Sequence, residues 1–346
     1  MRIAFIGQKG IPVKIGGVER YVDEVAARMA EHGHEVFVYV RNHYTPRKLQ
    51  SYRGVKLVHI PTIKTKHLDA ITHTFFATFH ALFQGYDVIN YQSIGPSSLC
   101  FIPKLLLKKT VVISTYHAQD YYHKKWGWFA RGFLKLAERV TYKIPDRTIA
   151  VGESIRDYGM KNYNADSIFI PNGVTLLGRA GSLNLFKKWD LKRGKYLLTV
   201  SRLVPHKEIH TLIKAFAALK AMKKIDSSWK IVIAGGGSYT DGYVKQLKAM
   251  SRGRHDVVLA GVQKGERLSA LFKNAYVFVQ PSRSEGLSLA LLEAMGAGLA
   301  PLVSDIPENL SAIQGNGFVF RTGDVFDLIN KIEYLIGNPS KVKNMG

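Results

Sequence analysis

The sequence is poor in cysteine, in acidic residues and in long apolar runs. Cys100 is its single cysteine, so the chain holds no internal disulfide and no cysteine zinc site. A reducing compartment is the simplest home for such a chain. No apolar stretch reaches the roughly 20 residues that a membrane span needs. The longest attempts, around 75–83 and 99–107, are broken by His80 and Lys104. The apolar run from Ile3 to Ile6 is too short for the core of a secretory signal. Asp-x-Asp, His-Glu-x-x-His and Cys-x-x-Cys are all missing, so a metal-bridged diphosphate mechanism has no visible ligands. Gly-x-Ser-x-Gly, the usual hydrolase elbow, is missing too.

The shortage of acid leaves a large positive charge. Against 26 Asp and Glu stand 49 Lys and Arg, a balance of +23. Such a field attracts anions: nucleic acid, phosphorylated small molecules or an acidic membrane. The excess is spread evenly, with 25 basic and 13 acidic residues up to residue 180 and 24 and 13 after it. That argues against a basic tail on nucleic acid. With 346 residues, 46% of them hydrophobic, the chain has material for two cores.

Short β-rich runs alternate with helical patterns along the whole length. The first series has runs at 2–7, 35–40, 55–60, 88–92, 111–116 and 147–151, with a helix at 18–32. A turn sequence, Pro171-Asn172-Gly173, then interrupts the pattern. A second series has runs at 196–200, 230–234, 257–260, 276–280 and 300–303. Helical patterns lie at 211–222, 242–250, 265–273, 287–296 and 326–337. This alternation predicts two α/β domains, 1–172 and 173–346, each a doubly wound parallel sheet, facing each other across a cleft. Ligands of such sheets sit at the carboxyl ends of the strands, so the loops that follow strands are where chemistry is expected.

Four of those loops carry candidate residues. After the first strand, Gly16 and Gly17 open a helix, where bare backbone N–H groups and the helix dipole favour an anion. The loop is neither a dinucleotide fingerprint nor a P-loop. After the run at 196–200, Arg202 and Lys207 stand five apart. Both can point at one diphosphate, Arg as a planar fork and Lys as a point charge; alone, they are two solvated cations of a basic protein. After the run at 276–280 come Glu285, Gly286, Leu287 and Ser288, then Glu293 among Leu291, Leu292, Ala294 and Met295. The spacing of eight predicts both carboxylates on one helix face, with the N–H groups of Gly286, Leu287 and Ser288 opening that helix. A carboxylate in an apolar helix needs a partner: a ligand's hydroxyl pair, a buried Arg or backbone N–H. After the run at 111–116 comes His117, a site candidate at a strand end that is as readily a structural residue.

Taken together these pieces resemble the retaining glycosyltransferases of family 4, built on two Rossmann-like domains (the GT-B architecture). The pieces are Gly16-Gly17-Val18-Glu19, Ile170-Pro171-Asn172-Gly173-Val174, Ser201-Arg202-Leu203-Val204-Pro205-His206-Lys207, and Pro281-Ser282-Arg283-Ser284-Glu285-Gly286 with Glu293-Ala294-Met295. Gly10-Ile11-Pro12, Trp126-Gly127 and Ser304-Asp305-Ile306-Pro307-Glu308-Asn309 resemble a bacterial rhamnosyltransferase-like subgroup. The resemblance implies an acceptor-binding first domain and a donor-binding second domain. It implies transfer from a nucleotide-diphosphate sugar to a glycan or lipid-linked acceptor of cell-envelope polysaccharide, without metal or cofactor.

It also implies roles. Arg202 and Lys207 hold the diphosphate, Glu285 the donor sugar, and Glu293 the ribose hydroxyls. The backbone near Gly235 and Val262 faces the base. Gly16 and Gly17 face the phosphates and the acceptor, and His117 the oxocarbenium-like carbon. Two departures stand out: Glu208 where the family often has Gly, and a chain that ends at Gly346, before the family's last crossover helix. The expected location is cytoplasmic; the basic surface fits peripheral attachment to the inner membrane face through amphipathic segments such as 67–83 and 126–144, although 67–83 reads equally well as an ordinary core helix. Competing readings are a nucleotide-sugar epimerase or other non-transferase on the same fold, and a non-catalytic basic protein on a membrane; no nucleic-acid motif is present.

Overall fold

The computed structural model describes residues 1–14, 16–65, 68–119, 128–174, 184–237 and 240–346. The contacts divide the chain into two compact units, Met1–Asn172 and Gly173–Gly346. Each is a separate α/β layer structure.

The first unit runs β1 (Arg2–Ile6), α1 (Gly17–Glu31), β2 (Glu35–Arg41), β3 (Ser51–Tyr52), β4 (Val55–Ile60), α2 (Leu68–Ala81) and β5 (Val88–Gln92). It continues with α3 (Ile94–Ser97), α4 (Phe101–Leu106), β6 (Val111–Tyr116), α5 (Trp128–Lys143), β7 (Arg147–Ala150), α6 (Glu153–Tyr163) and β8 (Ile168–Phe169). The sheet order is β3-β4-β2-β1-β5-β6-β7-β8. Every pair is parallel except β3 with β4, an antiparallel edge that the sequence pattern does not announce. From β1 the chain winds outward on both sides, so the order reverses between β1 and β5.

The second unit runs α7 (Asn184–Lys188), β9 (Tyr196–Val200), α8 (Ile209–Ala221), β10 (Lys230–Ala234), α9 (Asp241–Met250), β11 (Val257–Gly261), α10 (Gly265–Asn274) and β12 (Val277–Gln280). Then come α11 (Leu289–Gly296), β13 (Pro301–Ser304), α12 (Pro307–Ile313), β14 (Phe318–Phe320), α13 (Val325–Gly337) and α14 (Pro339–Met345). Six parallel strands lie in the order β11-β10-β9-β12-β13-β14, reversing between β9 and β12. The strands are mostly apolar because both faces are covered, with polar residues such as Lys230, Gln280 and Ser304 at their ends. Alternate residues enter opposite cores: Leu197, Ile231 and Val277 pack under α8 and α13, while Leu198, Val232 and Phe278 pack under α10 and α11.

The first unit buries an unusual amount of polar chemistry. Glu138 of α5 is 0% exposed. It accepts hydrogen bonds from Tyr116 of β6 and from Tyr158 and Tyr163 of α6, the last at 2.5 Å. The Tyr142 ring lies stacked between Tyr116 and Tyr163, 5.2 Å from each. Three phenol donors thus replace the cation that a buried carboxylate normally needs. Helix α2 turns Asp69, His73, Thr74 and Thr78 inward. Arg41 holds Asp69 at 2.6 Å, Thr62 donates to the same carboxylate at 3.0 Å, and Thr78 meets the Tyr91 hydroxyl. Burial, with Arg41 and His43 nearby, pushes His73 down to about 3, so its ring is neutral.

The tyrosine cage makes a stability prediction. Glu138→Ala removes the shared acceptor of one buried and two half-buried hydroxyls and lowers unfolding free energy by about 3 kcal/mol. Glu138→Gln, which keeps an acceptor oxygen, loses less. Urea titration of the two variants reads the difference, and equal stability of Glu138→Ala and the parent would contradict the cage.

Candidate functional site

The reversal between β9 and β12 marks the place where a sheet of this kind has room for a ligand, because two neighbouring loops part there at the carboxyl ends of the strands. One loop leaves β9 at Val200, makes a single tight turn at Pro205–Lys207 and enters α8. Glu208 caps that turn in the left-handed conformation, φ 51°. This explains why the family's usual Gly suits the position: Gly adopts such a φ without strain. The other loop leaves β12 at Gln280 and reaches α11, which Ser288 caps by accepting from the Leu291 N–H.

The two loops are stapled together by side chains. The Lys207 ammonium donates to the Glu285 carboxylate, and both side chains are nearly buried. Ser282 donates to the other Glu285 oxygen at 2.6 Å. The Arg283 N–H donates to the His206 carbonyl at 2.8 Å, and its guanidinium holds Glu208 at 2.8 Å. Thr211 donates to the second Glu208 oxygen at 2.8 Å. Glu208 is therefore engaged by Arg283 and Thr211, while Lys207 turns to Glu285. Burial pushes the Lys207 ammonium below the usual lysine range; Glu285 opposes that shift and Arg202 adds to it. The Arg202 side chain is exposed at the end of β9. A buried ammonium with another cation nearby, and one carboxylate to share, is a receptive place for a polyanion.

Behind the loops a buried hydrogen-bond chain locks the second wall. Ser288 donates to Gln280 at 2.7 Å, Gln280 to Asn309 at 2.6 Å, and Asn309 to the Ser304 carbonyl at 3.1 Å. The Ser304 hydroxyl returns to the Ser282 carbonyl. Glu308 lies near Glu285, and burial together with that neighbour raises its carboxyl above the usual range. Sequence reasoning missed Gln280, Ser282 and Glu308 as parts of the site. Gln280 carried a signal, a polar residue ending an otherwise apolar strand, with Ser282 two residues on; Glu308, in the first turn of α12, carried none.

Two expectations need correction. Glu285 and Glu293 do not share a helix face: α11 begins at Leu289, so Glu285 lies in the loop and only Glu293 in the helix. For the same reason Gly286 and Leu287 precede the helix and Ser288 is its cap, so their N–H groups do not open it. The spacing of eight misled because Ser288 starts the helix later than the apolar run suggests. Glu293 itself is buried within α11.

The ends of β10 and β11 come close to the same loop. Gly235 has φ +153°, and a Cβ there would sit 1.8 Å from the Ser201 carbonyl oxygen, so only Gly fits. Its N–H donates to Gly261 at 2.8 Å, and Val262 follows, half exposed.

The first unit gathers its own group. Gly16 has φ +116°, and a Cβ would meet the Glu19 carboxylate at 1.9 Å. That carboxylate folds back over the α1 start and accepts the Lys9 N–H at 3.2 Å. Gly17 is the first residue of α1. His117 is buried at the end of β6, its Nε2 2.9 Å from Gln92 Oε1. Because the Gln92 amide donates to Asn90 at 2.9 Å, its oxygen faces the ring and His117 Nε2 carries the proton. The Tyr21 ring from α1 sits edge-on at 4.9 Å. The site residues therefore fall into two groups: Gly16, Gly17 and His117 in one unit, Arg202, Lys207, Gly235, Val262, Glu285, Gly286, Leu287, Ser288 and Glu293 in the other. Trp126 and Gly127 lie outside the described residues. Among the described residues, no three His, Cys, Asp or Glu side chains converge as a metal would need.

Comparison with known proteins places this geometry. The family model "Glycosyl transferases group 1" matches residues 183–346, and "Glycosyltransferase Family 4" matches 15–176. Alpha-monoglucosyldiacylglycerol synthase of Streptococcus pneumoniae is 25% identical over 98% of this chain and 79% of its own length. A GDP-mannose:cellobiosyl-diphosphopolyprenol alpha-mannosyltransferase of Xanthomonas oryzae is 31% identical over 47% of this chain and 39% of its own length. Among solved structures, sucrose-phosphate synthase of Thermosynechococcus elongatus matches with a TM-score of 0.82 at 18% identity, covering 99% of this chain and 92% of that one. Anabaena HepE, in complex with UDP and glucose, matches at 0.79 and 17% identity over 100% and 92%. The likeness to both structures shows the fold. The chain belongs to the GT-B glycosyltransferases of the group 1 and family 4 type. It is a glycosyltransferase, which disfavours the epimerase and the non-catalytic readings.

The Lys207–Glu285 pair yields a testable asymmetry. Lys207→Met alone leaves a buried carboxylate without its cation and costs about 3 kcal/mol of stability. Adding Glu285→Gln removes the uncompensated charge and restores most of that loss. Denaturant unfolding of the two variants checks both statements.

Proposed function

We propose that this chain is a retaining, metal-independent glycosyltransferase that moves a sugar from a nucleoside-diphosphate sugar to a lipid-linked or envelope glycan acceptor. The observation that carries the reading is the Lys207–Glu285 pair, with Arg202 nearby, at the β9/β12 reversal of the second unit. Relatives support the substrate classes. Their names include a glucosyldiacylglycerol synthase and a diphosphopolyprenol mannosyltransferase, and Anabaena HepE binds UDP-glucose.

In this reading the second unit holds the donor. Arg202 forks onto the diphosphate and Lys207 shares its ammonium between Glu285 and a phosphate oxygen. As the C1–O bond to phosphate breaks, negative charge grows on the leaving diphosphate. These two fixed cations then stabilise the transition state more than the ground state. Glu285, held by Ser282, accepts from a hydroxyl of the donor sugar, and Glu293 from the ribose. The backbone at Gly286, Leu287, Ser288, Gly235 and Val262 lines the sugar and the base. The first unit binds the acceptor, with Gly16 and Gly17 at the phosphates and His117 beside the reacting carbon. The acceptor oxygen bonds to C1 on the face the diphosphate leaves, and the departing phosphate oxygen takes the acceptor's proton. The enzyme works on the cytoplasmic side, at the membrane that carries a lipid-linked acceptor.

Calorimetric titration with UDP, GDP, dTDP and ADP, without metal, tests this. One diphosphate binds, and Arg202→Ala and Lys207→Ala each weaken it about tenfold or more, as expected for a charge-assisted contact. Glu285→Gln lowers kcat about 100-fold while diphosphate binding stays within about threefold, since its contact tightens in the transition state. Unchanged binding and turnover in both cation variants would overturn the assignment.

A further inference from the structure

Helix α2 is built inside out. Its inward face carries Asp69, His73, Thr74 and Thr78, while Leu68, Ile71, Phe75, Phe76 and Phe79 face solvent, followed by Phe83 at 83% exposure. The spacing of 3, 4 and 1 makes a continuous outward stripe. Phe75 packs on Phe79 at 4.7 Å and on Phe76 at 5.5 Å, so the aromatics form a surface cluster. From Leu68 to Phe83 the only exposed ionisable group is His80, which burial holds below the usual histidine range.

Two further helices cover the same core: Ala77 and Ala81 of α2, Cys100 and Leu107 at the two ends of α4, and Val140 of α5 pack in one cluster, and α2 packs on α3 and α3 on α5. After α3, helix α4 exposes Phe101, Leu105 at 74% and Leu106, next to Lys108 and Lys109. Helix α5 exposes Trp128 at 86%, Phe133 and Leu136, interleaved with Arg131, Lys135 and Arg139. The helices carry two carboxylates, Asp69 and Glu138, and both are buried. What faces water on α2, α4 and α5 is therefore aromatic, aliphatic or cationic. Scattered exposed apolar residues are ordinary, but a contiguous aromatic cluster such as the one on α2 is the kind that marks a contact surface.

We propose that the outward face of α2, α4 and α5 docks on an anionic lipid bilayer. The charge selects the occupant: cations without exposed acid on these helices complement a negative lipid surface, and the phenylalanines enter the acyl boundary beneath the headgroups. The inference deepens the membrane placement proposed above and rests on it, but its test does not use catalysis.

The test is cosedimentation of the full chain with vesicles of phosphatidylcholine alone, or with about 30 mol% phosphatidylglycerol. The chain partitions onto the anionic vesicles, and raising salt from about 0.05 to about 0.5 M weakens the partition steeply. Phe75→Ser/Phe79→Ser/Phe83→Ser lowers it about tenfold or more, as loss of buried apolar area requires. Should that variant unfold, Leu105→Ser/Leu106→Ser carries the same expectation. Arg131→Glu/Lys135→Glu/Arg139→Glu abolishes the preference for anionic lipid, while Lys341→Glu/Lys343→Glu in α14 leaves it unchanged. Titration of each variant with whichever of UDP, GDP, dTDP and ADP the parent chain binds separates a failed surface from a failed donor site. Failure of the parent chain to bind vesicles, or full binding by the folded triple-serine variant, overturns the proposal. So does a dimer in light scattering that the serine variants dissociate, since a second copy would then cover the face.

Discussion

The second unit depends on one buried ion pair between two loops that have no reason of their own to meet. Lys207 comes from the turn after β9 and Glu285 from the loop after β12. A parallel sheet brings the strand ends together, but at a reversal of strand order the following segments diverge. Lys207–Glu285, with Arg283 bound to Glu208 and to the His206 carbonyl, pulls them back into register. The pair is a weak source of stability, because both charges lose water on burial. Its physical value lies elsewhere. Each charge is held ready for a partner of opposite sign or for a hydroxyl, and neither must be dragged out of water when a ligand arrives. In the proposed reading that is the preorganisation that stabilises a leaving group.

The apolar strands and their order of alternation were legible in the sequence, because a strand covered on both faces must be apolar along most of its length. Tyr196–Val200 and Lys230–Ala234 were read to the residue for this reason. The two-residue strands β3 and β8 and the three-residue β14 were not, since so short a run has no periodicity. Helix α12 escaped notice because Pro307 starts it, and a proline after a strand reads first as a turn. The site was legible in its residue types and only partly in its geometry. Arg202, Lys207 and Glu285 stand at strand ends, but nothing in their spacing reveals that Lys207 pairs with Glu285 across 78 positions. The helix boundary at Ser288 was misplaced because Leu287 belongs to the apolar run yet lies outside the helix. Ser followed by Leu-Ala-Leu-Leu is itself a cap signal, and would have placed the start correctly.

Glycine shows the same division between what composition tells and what contact tells. The chain has 31 glycines. At Gly235 a side chain is excluded by the Ser201 carbonyl, where backbone passes close to backbone at the carboxyl end of a strand. At Gly16 the φ of +116° disfavours a side chain, while the nearest atoms belong to the movable Glu19 side chain. Glu208 is the converse case. It takes a left-handed conformation that Gly would take freely, and Arg283 and Thr211 hold its carboxylate. A departure from the family pattern is thus absorbed by added contacts without turning a negative charge on Lys207.

The inward face of α2 has a cause within the fold, and the outward face has none. The sheet beneath it carries buried tyrosines, and their hydroxyls need partners. Thr78 meets Tyr91 at 3.0 Å, and His80 meets Tyr39 at 2.9 Å. Arg41 at the end of β2 needs a carboxylate, and Asp69 supplies it. These demands account for polar residues facing the core. They place no demand on the opposite side, where serine, lysine or glutamate would suit a water-facing helix better than three phenylalanines. Helix α5 repeats the asymmetry: Glu138 turns inward to satisfy three phenols, while Trp128, Phe133 and Leu136 turn outward. When the interior explains only one face of each of two helices, the other face was shaped by something outside the folded chain.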